Sequence, residues 1–194
     1  MNGYDFDKTI HKGDSFTAFF FFTILKRPFL ILALPFQAVL VLLHLVKLIS
    51  KKKIKELAMM NLKFFKNKEK LVEEFWDKNI KNIKKWYLEQ KQEDDIIISA
   101  SPFFLINAAC KRLGLKNVIA TDMDISTGKI NGKNCWGQQK VVEFEKQFGT
   151  DLILKTFYSD SLSDIPMMKK AEKGIFVKGD ERKVIYTRET KNKN

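Results

Sequence analysis

Asp5 and Asp7, in the run YDFDKTI, are two carboxylates separated by one phenylalanine. Alternate residues of a strand share a face, so both acids can point at one site. Acids this close repel one another. A bound cation, or different protonation states for the two, relieves that repulsion; a solvated turn is the plainer alternative. A second group, Ser99–Ala100–Ser101–Pro102, follows the apolar run DIII. A hydroxyl beside free backbone N–H groups at a helix N-terminus makes an anion site, although the same residues also suit a simple helix cap. Lys140, in NCWGQQK, falls early in an expected helix. Its ammonium could point at the same anion, or it could lie on the surface like most lysines here. Asp160 and Asp164, in YSDSLSDIP, follow a further apolar run. With Asp5 they could hold a hard dication through the oxygen ligands that magnesium prefers, or they could cap a turn.

These residues need elements that bring them to one place. Residues 1–7, DIIISA, NVIAT, DLILKTFY and GIFV read as strands. Helices are expected over 102–113 and 137–148, with a short one after Asp164. Strands alternating with helices predict an α/β fold: a Rossmann-like parallel sheet core with helices on both faces. In such sheets, functional groups collect beyond the carboxyl ends of the strands, where all four groups fall. Residues 14–91 interrupt the alternation and predict an inserted all-helical cap, leaving 1–13 and 92–194 as the core. Within the insertion, residues 16–49 are strongly apolar, and Phe29 to Val46 is about as long as a membrane span. Two readings stand: a membrane-dipping or lipid-binding hairpin, or a helical pair buried inside the cap. Ser50 is placed to cap a helix with apolar positions Ile54, Leu57, Ala58, Leu62 and Phe65. Lys51, Lys52, Lys53 and Lys55 are either a site for anionic lipid head groups or a solvated helix face. A further helix is expected over 68–91, buried along Leu71, Val72, Phe75, Trp76, Ile80, Ile83 and Tyr87.

The chain has 194 residues and a net charge of +12, which favours an anionic partner such as nucleic acid, an acidic membrane or a phosphorylated substrate. The basic residues are scattered and no nucleic-acid motif is present, which argues against nucleic acid. Two cysteines, Cys110 and Cys135, give neither a disulfide framework nor a zinc-ligand spacing. A cytoplasmic setting without a signal peptide is expected, as is disorder in the tail TRETKNKN.

The order of these motifs resembles that of the haloacid dehalogenase superfamily of phosphatases, over nearly the whole chain. DFDKT matches its DxDxT motif, IIISAS its apolar strand ending in Ser or Thr, Lys140 its lone lysine, and SDSLSD its DxxxD motif. The helical insertion places the resemblance in the phosphoserine-phosphatase-like branch. LKRPFLILALPFQAVLVLL is similar to the apolar, proline-broken cap run of bacterial phosphatidylglycerophosphatase C type proteins. The resemblance implies Asp5 as nucleophile forming an aspartyl-phosphate and Asp7 as general acid and base. It implies Mg2+ on Asp5, Asp7 (main-chain carbonyl) and Asp160, phosphate held by Ser99, Ala100 and Lys140, and support from Thr9 and Asp164. Lys133 is a second candidate for the lone lysine. Lys8 and Ser159 stand where many members have glycine. The substrate implied is a lipid phosphate monoester at the inner face of the membrane. The alternative is a soluble phosphatase for a small metabolite such as phosphoserine, for which Asp14, nine residues after Asp5, would contact substrate; Asp14 would equally cap the first insertion helix. A non-catalytic basic binding protein is the remaining possibility.

Overall fold

The computed structural model describes residues 1–188. The tail for which disorder is expected lies outside the described residues from Glu189 onward. Between the first strand and the second, the chain forms α1 (Ser15–Lys26), α2 (Leu34–Leu45), α3 (Lys51–Met59), α4 (Lys68–Asn79) and α5 (Lys85–Gln90). Asp14 caps α1 by accepting from Thr17 N–H at 2.7 Å, and Ser50 caps α3 by accepting from Lys53 N–H at 3.2 Å. Each satisfies an amide that a helix start leaves without a partner.

The helix expected over 68–91 is broken. A 3-10 turn, Ile80–Asn82, follows α4, and Ile83 then pairs with His11 in an isolated bridge. The cause is tertiary. Lys84 N–H donates to the Ile10 carbonyl at 2.7 Å, and its Nζ donates to the Lys8 carbonyl at 2.7 Å, so this stretch is tied to the loop after the first strand. Leu71, Val72, Phe75 and Trp76 are buried as their spacing predicts.

The apolar run is buried only in part: α1 contributes Phe19 and Ile24 to the core, and the rest lies mostly outside it. Pro28–Ala33 forms a 3-10 helix, and only 13% of Pro28–Leu45 is buried. Pro35 sits at the second position of α2, where no N–H partner is required.

Six strands, β1 (Gly3–Tyr4), β2 (Ile96–Pro102), β3 (Asn117–Thr121), β4 (Leu154–Ser159), β5 (Ala171–Lys178) and β6 (Glu181–Thr187), form one sheet in the order β3-β2-β1-β4-β5-β6. The first five are parallel, giving the expected Rossmann-like α/β core. The sheet is not parallel throughout, because β6 runs antiparallel to β5. Only Gly179 and Asp180 link these two strands, and so short a connection cannot make a parallel crossover. The first strand is also shorter than expected, since the chain turns at Asp5.

Helices α6 (Phe103–Arg112), α7 (Gln138–Phe148) and α8 (Ile165–Met168) complete the layers. Ile97 packs with Leu105 and Ala109 of α6 and with the insertion, whereas Ile96 and Ile98 pack with Phe144 of α7 and Met168 of α8. Alternation along β2 thus builds a core on each face of the sheet. Pro102 ends β2 and precedes α6 with ψ 137°. It is therefore the residue before the helix, not its first member, because it still pairs with Thr121 of β3.

Candidate active site

Asp5 leaves the sheet at the end of β1 with its N–H on the Tyr158 carbonyl of β4 at 2.8 Å. Lys140 reaches it from the first turn of α7. Its Nζ donates to Asp5 Oδ1 at 2.7 Å and to Asp164 Oδ2 at 2.7 Å. Lys140 is 2% exposed, whereas Lys133 lies on the surface, so Lys140 is the lysine of the cluster. Gly137, just before α7, has φ 57° and ψ −126°, a backbone region essentially confined to glycine. That residue lets α7 begin with its first turn aimed at the strand ends.

The electrostatics follow from burial. Burial works against the Lys140 charge, yet Asp5 and Asp164 outweigh it and hold the ammonium above the ordinary lysine range. Asp5 is pushed up to about 7, chiefly by burial, with Lys140 pulling it down and Asp164 pushing it further up. Asp164 Oδ2 also accepts from Ser159 Oγ at 2.7 Å, while Oδ1 is buried without a partner.

Asp7 occupies a separate set of contacts. The Ser15 N–H, at the start of α1, donates to Oδ1 at 2.6 Å, and Ser101 Oγ donates to Oδ2 at 2.5 Å. Burial and then Asp14 raise the Asp7 pKa, against the lowering effect of Ser101 and Ser15. Two acids on one strand end are thereby given different surroundings, one beside an ammonium and one beside neutral donors.

Thr9 and Asp160 close the other side. Thr9 Oγ1 lies 3.3 Å from Asp5 Oδ2 and 3.4 Å from Asp160 Oδ1, and accepts from the Asp160 N–H at 2.9 Å. Lys8 has φ 56°, the left-handed turn conformation in which glycine is at ease. The Lys8 carbonyl is held by Lys84 Nζ, which also donates to the Gly179 carbonyl at 2.5 Å.

A cavity of about 310 Å³ lies over these groups, with Asp5, Asp7, Asp160 and Lys140 in its lining. Ala100 and Ser101 line it too. Ser99 sits beneath them, 1% exposed, its Oγ accepting from the Ser101 N–H at 3.1 Å. Asp14 also lines the cavity, although its carboxylate is the α1 cap. The outer wall comes from the insertion: Phe16 of α1 and Lys51 and Lys55 of α3, facing Trp136.

Sequence reasoning gave no individual role at the site to Ser101, Ser159, Lys84 or Lys55. Ser101 had a signal: it lies two residues after Ser99 on one strand, hence on the same face. Ser159 stood at a position set aside as a glycine replacement, yet its hydroxyl orients Asp164. Lys84 carried no local signal and Lys55 was read only as part of a basic tract, because their partners are remote in sequence.

The arrangement suits a hard dication. Among the described residues no three His, Cys, Asp or Glu side chains form a metal cluster. Two carboxylates, of Asp5 and Asp160, nevertheless flank a single hydroxyl, and burial raises the pKa of both. Adjacent acids of this kind, Asp5 buried and Asp160 half-buried, repel one another and gain from a cation between them, and their oxygens are the donors magnesium takes, with backbone carbonyls and water completing its shell.

A strand-end aspartate paired to a buried lysine, on a Rossmann-like sheet with a helical insertion after the first strand, defines a class of hydrolase. The family model for haloacid dehalogenase-like hydrolases matches residues 3–169, and the chain belongs to that family. Protein CicA of Caulobacter vibrioides is 32% identical over 85 residues, which cover 41% of this chain and 38% of that protein. The match thus spans well under half of the relative's length. Among solved structures, a protein of unknown function from Bordetella pertussis has a TM-score of 0.74 at 20% identity, covering 91% of this chain and 88% of that one. A phosphoserine phosphohydrolase-like protein from Francisella tularensis has a TM-score of 0.59 at 19% identity, covering 90% and 85%. These two structures share the fold.

Proposed function

We propose that this hydrolase is a magnesium-dependent phosphomonoesterase working through an aspartyl-phosphate, with residues 1–13 and 92–194 as its core and 14–91 as its cap. The observation that carries the proposal is the buried Asp5 carboxylate, held by Lys140 and opening on a cavity that it shares with Asp7. Asp5 attacks phosphorus, the bond to the leaving oxygen breaks, and Asp7 gives that oxygen its proton. Water then attacks the aspartyl-phosphate, Asp7 takes the water's proton, and the bond to Asp5 breaks to release inorganic phosphate. The raised Asp7 pKa favours the protonated form that a general acid uses. Lys140 and the backbone amide of Ala100 meet the charge on the phosphoryl oxygens, with the Ser99 hydroxyl beneath. Thr9 keeps Asp5 and Asp160 together, and Asp164 holds Lys140. Asp5, the Asp7 main-chain carbonyl and Asp160 would hold magnesium, which would supply further positive charge to those oxygens.

The substrate we propose is a lipid phosphate such as phosphatidylglycerophosphate, met at the inner face of the membrane. Support comes from the cavity wall, since Phe16, Lys51 and Lys55 belong to the helices that flank the exposed apolar surface. One observation favours a soluble phosphoserine-like substrate instead: Asp14 and Lys55 both line the cavity and offer the two charges an amino acid would need. Hydrolysis of an aryl phosphate with magnesium, compared in wild type and Asp5→Asn, tests the mechanism. Loss of turnover is expected; equal activity would refute it. A panel of phosphatidylglycerophosphate, lysophosphatidate and phosphoserine tests the substrate, and preference for phosphoserine would overturn the lipid assignment.

A further inference from the structure

The insertion exposes apolar side chains to an unusual degree. Leu25 is 77%, Leu32 84%, Leu42 61%, Leu45 69% and Leu48 71% exposed, while Leu30 and Leu40 turn inward and dock the segment. Scattered exposed leucines are ordinary, but a contiguous surface of them marks an interaction site. The charge around it identifies the partner. Residues 15–70 contain eleven lysines and arginines against two glutamates. Arg27, Lys47, Lys53, Lys63 and Lys66 are exposed. An apolar surface rimmed by cations matches an anionic lipid leaflet, with acyl chains for the leucines and headgroups for the lysines.

The segment is long enough for one crossing of a bilayer, but its ends forbid it. At one end, Lys26 Nζ donates to Glu74 Oε2 of α4 at 2.5 Å. At the other, Lys52 Nζ donates to the Gly132 carbonyl at 2.7 Å, Lys55 Nζ to the Ala100 carbonyl at 2.6 Å, and Glu56 Oε1 accepts from the Ile130 N–H at 3.1 Å. Both ends are fastened to the same folded body. A single crossing would put α3 on the far side of the membrane, away from the core it is bonded to. We infer that residues 28–48 lie in the plane of an anionic leaflet without crossing it. This places the catalytic cavity at the headgroups, a consequence that rests on the lipid-phosphate proposal. Exposed Leu48 is three residues from cavity-lining Lys51, which is at most about 11 Å of chain.

Flotation of the Asp5→Asn protein tests this without turnover, using vesicles of phosphatidylglycerol and phosphatidylcholine against phosphatidylcholine alone. Binding at least about tenfold tighter to the anionic vesicles, weakened by salt and reversed by alkaline carbonate, is expected. The double change Leu32→Glu and Leu42→Glu should lower it by about tenfold or more while aryl phosphate hydrolysis in the Asp5 background stays at the wild-type rate. Equal binding to both vesicles, no binding to either, or resistance to carbonate would overturn the inference. So would a stable dimer that covers the leucines and prevents flotation. Absence of hydrolysis would count against the phosphatase proposal alone and leave the vesicle result standing.

Discussion

Replacing Lys55 with methionine should stabilise the protein at neutral pH, and that gain should reverse in alkali. Lys55 Nζ donates to the Ala100 carbonyl at 2.6 Å and to Asn134 Oδ1 at 3.0 Å, and lies 5.6 Å from the centroid of the Phe16 ring. Burial lowers its pKa to about 8 from the ordinary 10.5, against the opposing pull of Asp7 and Asp14. Between those two pH values the unfolded chain binds more protons than the folded one, so stability rises with pH across that window. Below about 8 the cost of burying the charge is fully present. At about 1.36 kcal/mol per pH unit the difference is worth roughly 3 kcal/mol, and residual water around the partly exposed side chain reduces it to about 2 kcal/mol. Methionine keeps most of the volume but leaves two acceptors without their donor, a loss of about 1 kcal/mol. The variant should therefore lead by about 1 kcal/mol near pH 7 and trail by about as much once the wild-type lysine is neutral in both states. Urea unfolding of both proteins at several pH values from 7 to about 10.5 reads this directly. A difference independent of pH, or one that favours the wild type at pH 7, would refute the reasoning. In kinetics, the KM of wild type for an anionic phosphomonoester should climb as pH passes about 8, and that of Lys55→Met should not respond there.

Lys140→Met leaves Asp5 and Asp164 buried without their shared cation. It should cost about 3–5 kcal/mol of stability and abolish aryl phosphate hydrolysis; an unfolding midpoint equal to wild type would contradict the pairing. Lys8→Gly removes a side chain from a left-handed turn and should stabilise by about 0.5–1 kcal/mol, seen as a higher Tm with hydrolysis retained, whereas a lower Tm would show that the Lys8 side chain contributes more than its backbone costs.

The carboxylates of the candidate site were legible because their logic is local. Asp5 and Asp160 each follow a stretch that reads as a strand, and Asp164 lies four residues beyond Asp160 in the turn that follows. Asp7 was legible by its spacing from Asp5. Lys140 was harder, since a lysine in a helix has no local feature to distinguish it from its neighbours; only the fold shows Gly137 turning that helix toward the strand ends. The insertion misled for the same reason in reverse. Its 68–91 stretch has uninterrupted helical spacing, and at the break the chain is held by residues remote in sequence: Ile83 pairs with His11, and Lys84 bonds to Ile10 and Lys8. β6 was missed because its burial is slight, so the sequence alternation that normally betrays a strand is weak there.

The lysine cluster 51–55 changes meaning once it is folded. Read along the sequence it is a basic tract beside an apolar run, the usual form of a headgroup-binding tag. In the structure Lys51 lies over the Trp136 ring at 4.3 Å, Lys52 bonds to Gly132 and Lys55 to Ala100. Lys52 and Lys55 are thus bonded to the core, whereas Lys51, at the rim of the cavity, and Lys53 are exposed. The opposite side of α3, at Leu57, lines an apolar cleft of about 250 Å³ with Phe20 and Phe36. Core residues fix the helix between these two surfaces: Gly128, at φ 72°, approaches so closely that a Cβ there would lie 2.8 Å from the Met59 carbonyl carbon. One clamped helix therefore presents cations to the cavity and an apolar side to the exposed segment. Under the proposed leaflet binding, the headgroup contacts would come from Lys47, Lys53 and Lys63, while Lys51 and Lys55, which line the cavity, would meet the substrate. Under the lipid-phosphate proposal, neutralising the first set should weaken vesicle binding without touching hydrolysis of a soluble phosphate, and neutralising the second should do the opposite.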